Sequence, residues 1–385
     1  MKPVSLNFFC IWKLSKKRCW ACGSLNVIRW GKQTGKQRFK CNCCGLLFTD
    51  NAPAQRVKNR FPWFRKWVLE RQTFKTLQRD SGLSVDTLQR AFYHFLARAP
   101  LTPILHHDNI HLRVDATYFR KFCLVCYQDN TISYTQLFRF SDAERYEEIK
   151  EDLSNLLNLG LQIASITCDG HKATLKAIRK VMPEIIVQRC LVHIQRMCLL
   201  WVTANPAYEA GVELRRIILL INRIKTLNDK RYFELCLAAW ETKFNSFLKE
   251  KSYKQETGRY WYKHRMIRRS FFTIKRALPN MFWYLTNSNI PKTTNGIESY
   301  FGHLKNHLDL HRGLTVEHRI NFIKWYIYFR NIARLWVFFS QNSNPIIIKI
   351  AATNDCYWDY RLASIFLLVG CSPAEPTSSS NWHYQ

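Results

Sequence analysis

The chain has 385 residues, 47% of them hydrophobic, and carries 58 Lys and Arg against 28 Asp and Glu, a formal charge of +30. That length supports a sizeable core and more than one domain, and so large a basic excess repels itself unless a polyanion is bound. A membrane surface is the rival to nucleic acid, but the charge runs along the whole length, no apolar run approaches twenty residues, and MKPVSLNFFCIWKLSKKRCW lacks the features of a signal peptide. The expectation is a nucleic-acid-binding protein of a reducing compartment with no membrane part, whose 14 cysteines are buried thiols or metal ligands rather than disulfides.

In chain order, the first signal is CWACGSLNVIRWGKQTGKQRFKCNCCGLLF. Cys19 and Cys22 form one C-x2-C and Cys41 and Cys44 a second, with 18 residues between them. Two such knuckles supply the four thiolates of a tetrahedral Zn2+ site, so residues 15–50 read as a zinc ribbon. Cys43 is left over, as a spare thiol or a competing ligand. The intervening hairpin carries Arg29, Lys36 and Arg38 as candidate DNA contacts. Residues 51–62, with two prolines, read as a linker. Residues 63–98 read as a helix-turn-helix: Gly82 lies in the turn, Ser84 caps the second helix, and Thr87, Gln89 and Arg90 are polar groups suited to a DNA groove. An ordinary helical hairpin is the alternative.

From residue 108 the pattern changes. IHLRVDATYF, FCLVCYQ and ISYTQLFRF read as three antiparallel strands, followed by a helix at 143–160, the strand LQIASITCDG, a helix, the strand EIIVQRC and the helix LVHIQRMCLLWV. The order β-β-β-α-β-α-β-α implies an α/β domain with a mixed sheet. Asp115 interrupts the first strand and Asp169 ends the fourth. Each is costly there without a partner; alone, either could be an exposed residue or half of an ion pair. Cys123 and Cys126 fall within an apolar strand and read as core. Residues 206–288 read as helical throughout, with Trp240 and Trp261 as core residues or, less simply, base-stacking platforms. TTNGIESYFGHLKNHL then opens a helix in which Asn295 and Glu298 have the spacing of a capping box. The tail at 371–385 is expected to be disordered.

VDATYF, TCDGHKA, RCLVHIQR and TTNGIESYFGHLKNHLDLHRGL together resemble the DDE transposases of bacterial insertion sequences, in the Mutator-like group and its variant with an N-terminal zinc ribbon. The resemblance spans most of residues 15–340, and the TTNGIE segment is its most specific part. It implies a ribonuclease H-like catalytic core, here residues 108–205 and 289–345, split by the all-helical insertion at 206–288. It also implies that Asp115, Asp169 and Glu298 bind two Mg2+ (or Mn2+) ions and are the catalytic triad, with Asn295 capping the helix that carries Glu298. Cys190 and His193 match the family's Cys-or-Asp/His signature; their C-x2-H spacing alone would permit half of a zinc site, but no second pair is clear, and a structural role beside the acids is the preferred reading. The implied activity is cleavage at the element's terminal repeats and strand transfer into target DNA, by a homodimer or higher oligomer on DNA. The rival readings are a domesticated transposase acting as a non-catalytic DNA-binding regulator, and a nuclease that cuts without joining.

Overall fold

The computed structural model describes residue 19, residues 24–49 and residues 53–341, and among these the side chains of 19, 24–49 and 60–335. They fall into two compact units that divide between Arg98 and Ala99. The expected tail at 371–385 and the knuckle residue Cys22 lie outside the described residues.

The first unit begins with a three-stranded antiparallel sheet of β1 (Val27–Gln33), β2 (Lys36–Cys41) and β3 (Leu47–Thr49). Helices α1 (Pro53–Leu69), α2 (Phe74–Ser81) and α3 (Val85–Leu96) follow. The expected linker at 51–62 is a correction, because α1 begins at Pro53 and takes in Pro62. Proline is tolerated in a first helical turn, where an amide is unsatisfied anyway. Phe64, Trp67 and Val68 supply the apolar face, packed with the α3 residue Phe92. Between α2 and α3, Gly82 takes the left-handed φ of +66°, and the Ser84 hydroxyl accepts from the Thr87 amide at 3.3 Å. Both were readable as turn and cap chemistry.

The second unit is built on a five-stranded mixed sheet of β4 (Ile110–Tyr118), β5 (Cys123–Asp129), β6 (Thr135–Ser141), β7 (Ile163–Cys168) and β8 (Ile186–Arg189), in the order β6-β5-β4-β7-β8. Strands β4, β5 and β6 are antiparallel neighbours, whereas β7 and β8 join parallel to β4. Helices α4 (Tyr146–Asn158) and α5 (Lys172–Val181) bury Ile149, Leu153, Leu156, Ala177 and Ile178 in one cluster with the sheet residues Leu112, Val125, Tyr127 and Ile166. Cys123 and Cys126 are fully buried in β5, as their apolar surroundings imply.

After α6 (Leu191–Val202) come α7 (Glu209–Leu220), α8 (Leu227–Lys249), β9 (Lys251–Tyr253), β10 (Tyr260–Tyr262) and α9 (Arg265–Ala277), then α10 (Asn295–Leu308) and α11 (Val316–Gln341). The insertion is therefore not all-helical: β9 and β10 pair as an antiparallel hairpin. Tyrosines and a tryptophan favour a strand over a helix, and Gly258, at φ +62°, supplies the turn. The helices from α6 to α9 share a core of their own, with Trp240, Phe233, Phe244 and Phe271 at its centre. Helix α11 is fastened to β6 by Asn331, whose side-chain amide exchanges two 2.9 Å hydrogen bonds with the backbone of Thr135. No helix among the described residues is long and apolar enough to cross a membrane.

The two insertion tryptophans have opposite environments. Trp240 is 2% exposed and donates its indole N–H to the Ala210 carbonyl at 3.0 Å, whereas Trp261 is 52% exposed, against the expectation that both are core. Trp240→Ala is expected to cost about 3–5 kcal/mol of stability and Trp261→Ala under about 0.5 kcal/mol. Denaturant unfolding of both variants checks this, and equal losses would contradict it.

Candidate active site

Parallel pairing of β4 with β7 sets Val114 opposite Cys168, so the next residue on each chain is an acid, Asp115 and Asp169. Asp115 Oδ1 accepts from the Ala116 amide at 2.9 Å, and Asp169 Oδ1 accepts from the His171 amide at 2.8 Å, just before α5. Gly170 follows at φ +88°, where a Cβ would collide with the guanidinium of Arg189. That approach lets Arg189 donate to the Asp169 carbonyl at 3.1 Å and brace the strand end.

Glu298 reaches the same region from α10, and the two ends of the insertion are tied together to bring it there. The Leu191 amide donates to the Lys292 carbonyl at 3.1 Å. Thr294, fully buried, donates its amide and its hydroxyl to Cys190 Sγ at 3.3 and 3.4 Å, and its hydroxyl also lies 3.3 Å from His193 Nδ1. Cys190 caps α6 and Thr294 caps α10, so this clasp joins two helix starts. One turn into α10, Glu298 lies 3.6 Å from His193 and 3.4 Å from Arg196. Beneath that turn, a Cβ on Gly296 would collide with the buried guanidinium of Arg113 from β4, so glycine permits the close fit.

The capping box expected of Asn295 and Glu298 does not form. Asn295 is the first helical residue, Thr294 is the N-cap, and no side-chain cap bond is made. Glu298 is then the fourth helical residue, one beyond the position from which a capping-box acid reaches back. Its carboxylate is left for other partners.

The charges show how closely these groups are associated. Burial pushes the Asp115 carboxyl up to about 7, helped by Asp169 and Glu298 and opposed by His193. The hydrogen bond to Cys190 and the charge of its thiolate, with Asp115 and Glu298, raise His193 to about 9 against the effect of burial. Burial alone would raise the Cys190 thiol, but hydrogen bonds from His193 and Thr294 outweigh it and the net shift is downward. At neutral pH the site is therefore an imidazolium and a guanidinium set among several acids. Sequence reasoning missed one of these acids. Glu144, between β6 and α4, accepts from the Tyr118 hydroxyl at 3.3 Å, lies 3.5 Å from His171, and is held above its usual range by burial and by Asp169. In SDAERYEEIKED it was one more charge before a helix, and nothing local set it apart.

Two features fit a divalent cation. Burial and like-charged carboxylates oppose the ionisation of Asp115, which a cation would favour, and Glu298 Oε1 is buried without a hydrogen-bond partner, with His193 Nδ1 3.6 Å away. Among the described residues, two groups each bring three ligand atoms within 4.8 Å of one another: Cys190, His193 and Glu298, and Cys19, Cys41 and Cys44. Asp115 and Asp169 do not join Glu298 in so tight a group. A two-ion site spans about 4 Å between the ions alone, so its carboxylates need not be in mutual contact.

In the first unit, Cys19 and Cys41 are buried, and the sulfurs of Cys19 and Cys44 lie 3.6 Å apart. Arg29 and Lys36 are exposed on β1 and β2, and Arg38 is half-buried. Arg90 is exposed on α3 and paired at 2.6 Å with Asp86.

If the thiol is what holds His193 charged, Cys190→Ser should bring the His193 titration down from about 9 towards 6.5. A pH titration by NMR checks this, and an unshifted His193 would contradict it.

No curated protein gives a significant match to the chain. The model described as Transposase, Mutator family matches residues 138–299, a stretch that takes in Asp169, Cys190, His193 and Glu298 and begins after Asp115. Over that stretch the match supports a Mutator-like transposase.

Proposed function

We propose that this protein is a DNA transposase whose second unit is a ribonuclease H-like core split by an insertion, with Asp115, Asp169 and Glu298 as a DDE triad. The observation that carries the reading is the parallel β4–β7 register, which sets Asp115 beside Asp169, with Glu298 delivered to them from α10. The strand order β6-β5-β4-β7-β8 supports it as well.

The three acids would hold two Mg2+ or Mn2+ ions, whose hard oxygen preference suits carboxylates. When bound, the ions activate a water or 3′-hydroxyl at one position and stabilise the leaving oxygen at the other. In the first step water attacks a phosphodiester at the element end and a 3′-hydroxyl leaves. In the second, that hydroxyl attacks a target phosphodiester, so one ester bond forms as another breaks and no covalent protein intermediate is needed. Asp115 and Asp169 are fixed on the sheet. Glu298 lies against His193 and Arg196 on α10, and its carboxylate would be the third to hold the ions.

Asp115→Asn, Asp169→Asn and Glu298→Gln keep size and much hydrogen-bonding capacity while removing charge. Each should abolish cleavage and strand transfer in Mg2+ while DNA binding persists, and double variants should be little worse than single ones, as befits groups acting as a unit. The assay uses the inverted repeats flanking the gene as donor DNA. An active Glu298→Gln protein would sink the triad assignment, and cutting without joining would favour a nuclease.

For the first unit we propose that Cys19, Cys22, Cys41 and Cys44 bind Zn2+ and that the ribbon and the α2–α3 pair recognise element ends. The 3.6 Å between the sulfurs of Cys19 and Cys44 is near the ~3.8 Å edge of a tetrahedron with Zn–S bonds of about 2.3 Å. Purified protein should contain about one tightly held zinc, lost in Cys41→Ser together with local structure. Elemental analysis reads this directly, and undiminished zinc in that variant would refute the site.

A further inference from the structure

Helix α9, RMIRRSFFTIKRA, is sharply two-sided. Ile267, Ser270, Phe271, Ile274 and Ala277 are buried, while Arg265, Arg269 and Arg276 are exposed and Arg268 is half-buried beside them. Nearby cations are neutralised: Lys275 pairs with Glu241, and Lys243 with Glu209 and Glu213. None of the four arginines has a carboxylate partner among the described residues. They line an open depression together with Tyr262 and Phe272. Arg268 and Arg276 each donate to a backbone carbonyl and Arg269 stacks on Trp201, but with no carboxylate to neutralise them these guanidinium groups repel one another and suit the fork of a phosphate.

The face continues onto the β9–β10 hairpin as alternating rings and cations. Arg268 lies 4.5 Å over Phe272 and 3.8 Å over Tyr262. Lys251 lies 5.9 Å over Tyr262 and 3.9 Å over Tyr260, and the Tyr253 ring is 6.1 Å from that of Tyr260. Tyr260 and Tyr253 are 52% and 63% exposed. Strand alternation points Trp261 away from Tyr260 and Tyr262, so the ring the sequence singled out is not part of this row. Phosphates call for the cations, and bases with free faces call for the rings. A base-paired duplex hides its base faces, so the tyrosines suit a strand with unpaired bases.

We propose that α9 and the β9–β10 hairpin bind a DNA strand with unpaired bases, phosphates on Arg265, Arg269 and Arg276 and bases against Tyr253 and Tyr260. The choice of DNA as the partner rests on the transposase reading. The test uses the full chain, a labelled random-sequence duplex, and the same duplex frayed at one end by mismatches, over a salt series. Arg265→Ala/Arg269→Ala/Arg276→Ala should make the log–log salt slope for both DNAs shallower by about two to three, at about 0.7–0.9 per phosphate. Tyr253→Ala/Tyr260→Ala should weaken the frayed DNA about tenfold and leave the duplex unchanged. Trp261→Ala should do neither. A wild-type slope in the arginine variant, or equal affinities for the frayed DNA in the tyrosine variant and wild type, would overturn the proposal while leaving the transposase reading intact. A wild-type chain that binds neither DNA would overturn both.

Discussion

Two hydrogen bonds from Thr294 to the sulfur of Cys190 hold the candidate site together. They join residues 104 positions apart and close the insertion at its base. Glu298 has its place because Thr294 starts the helix that carries it, and His193 has its charge because Cys190 is beside it. A buried amide and hydroxyl that lost this acceptor would each cost about 1–3 kcal/mol, so the clasp has reason to persist whether or not ions are bound. Nearby, Gly296 admits Arg113 and Gly170 admits Arg189, each guanidinium occupying space that a side chain would take.

The insertion can be large because it does not depend on the sheet for its core. Helices α6 to α9 bury one continuous set of apolar residues, and α6 and α9 face each other within it. Only the ends need to meet the sheet, and they do so at Cys190 and Thr294 and at Gln188, whose side chain bonds the Met281 carbonyl and the Trp283 amide. The outward side of α9 is then free to carry charge, which accounts for part of the basic excess that the composition showed.

Much of this was legible in the sequence wherever the signal was local and periodic. The five strands and their helices followed from apolar patterning, and the Gly82 turn and Ser84 cap from chemistry within a few residues. The placing of Glu298 beside the two aspartates came from resemblance, because no local pattern links residues so distant. What was misread lay where two local preferences competed. Thr294 and Asn295 are both cap-type residues, and long-range bonding to Cys190 decided between them. Pro62 suggested a break, yet the aromatic packing of α1 carries the helix through it. The Tyr-rich hairpin was lost among helical neighbours, and Glu144 among other charges.

The central claim is that Asp115, Asp169 and Glu298 share bound divalent ions. Crystals of the full chain grown with Mn2+ and a pre-cut DNA end would test it through anomalous scattering. The account expects two peaks about 4 Å apart, held by the two aspartates and Glu298. Ions bound elsewhere, or none beside the two aspartates, would contradict it.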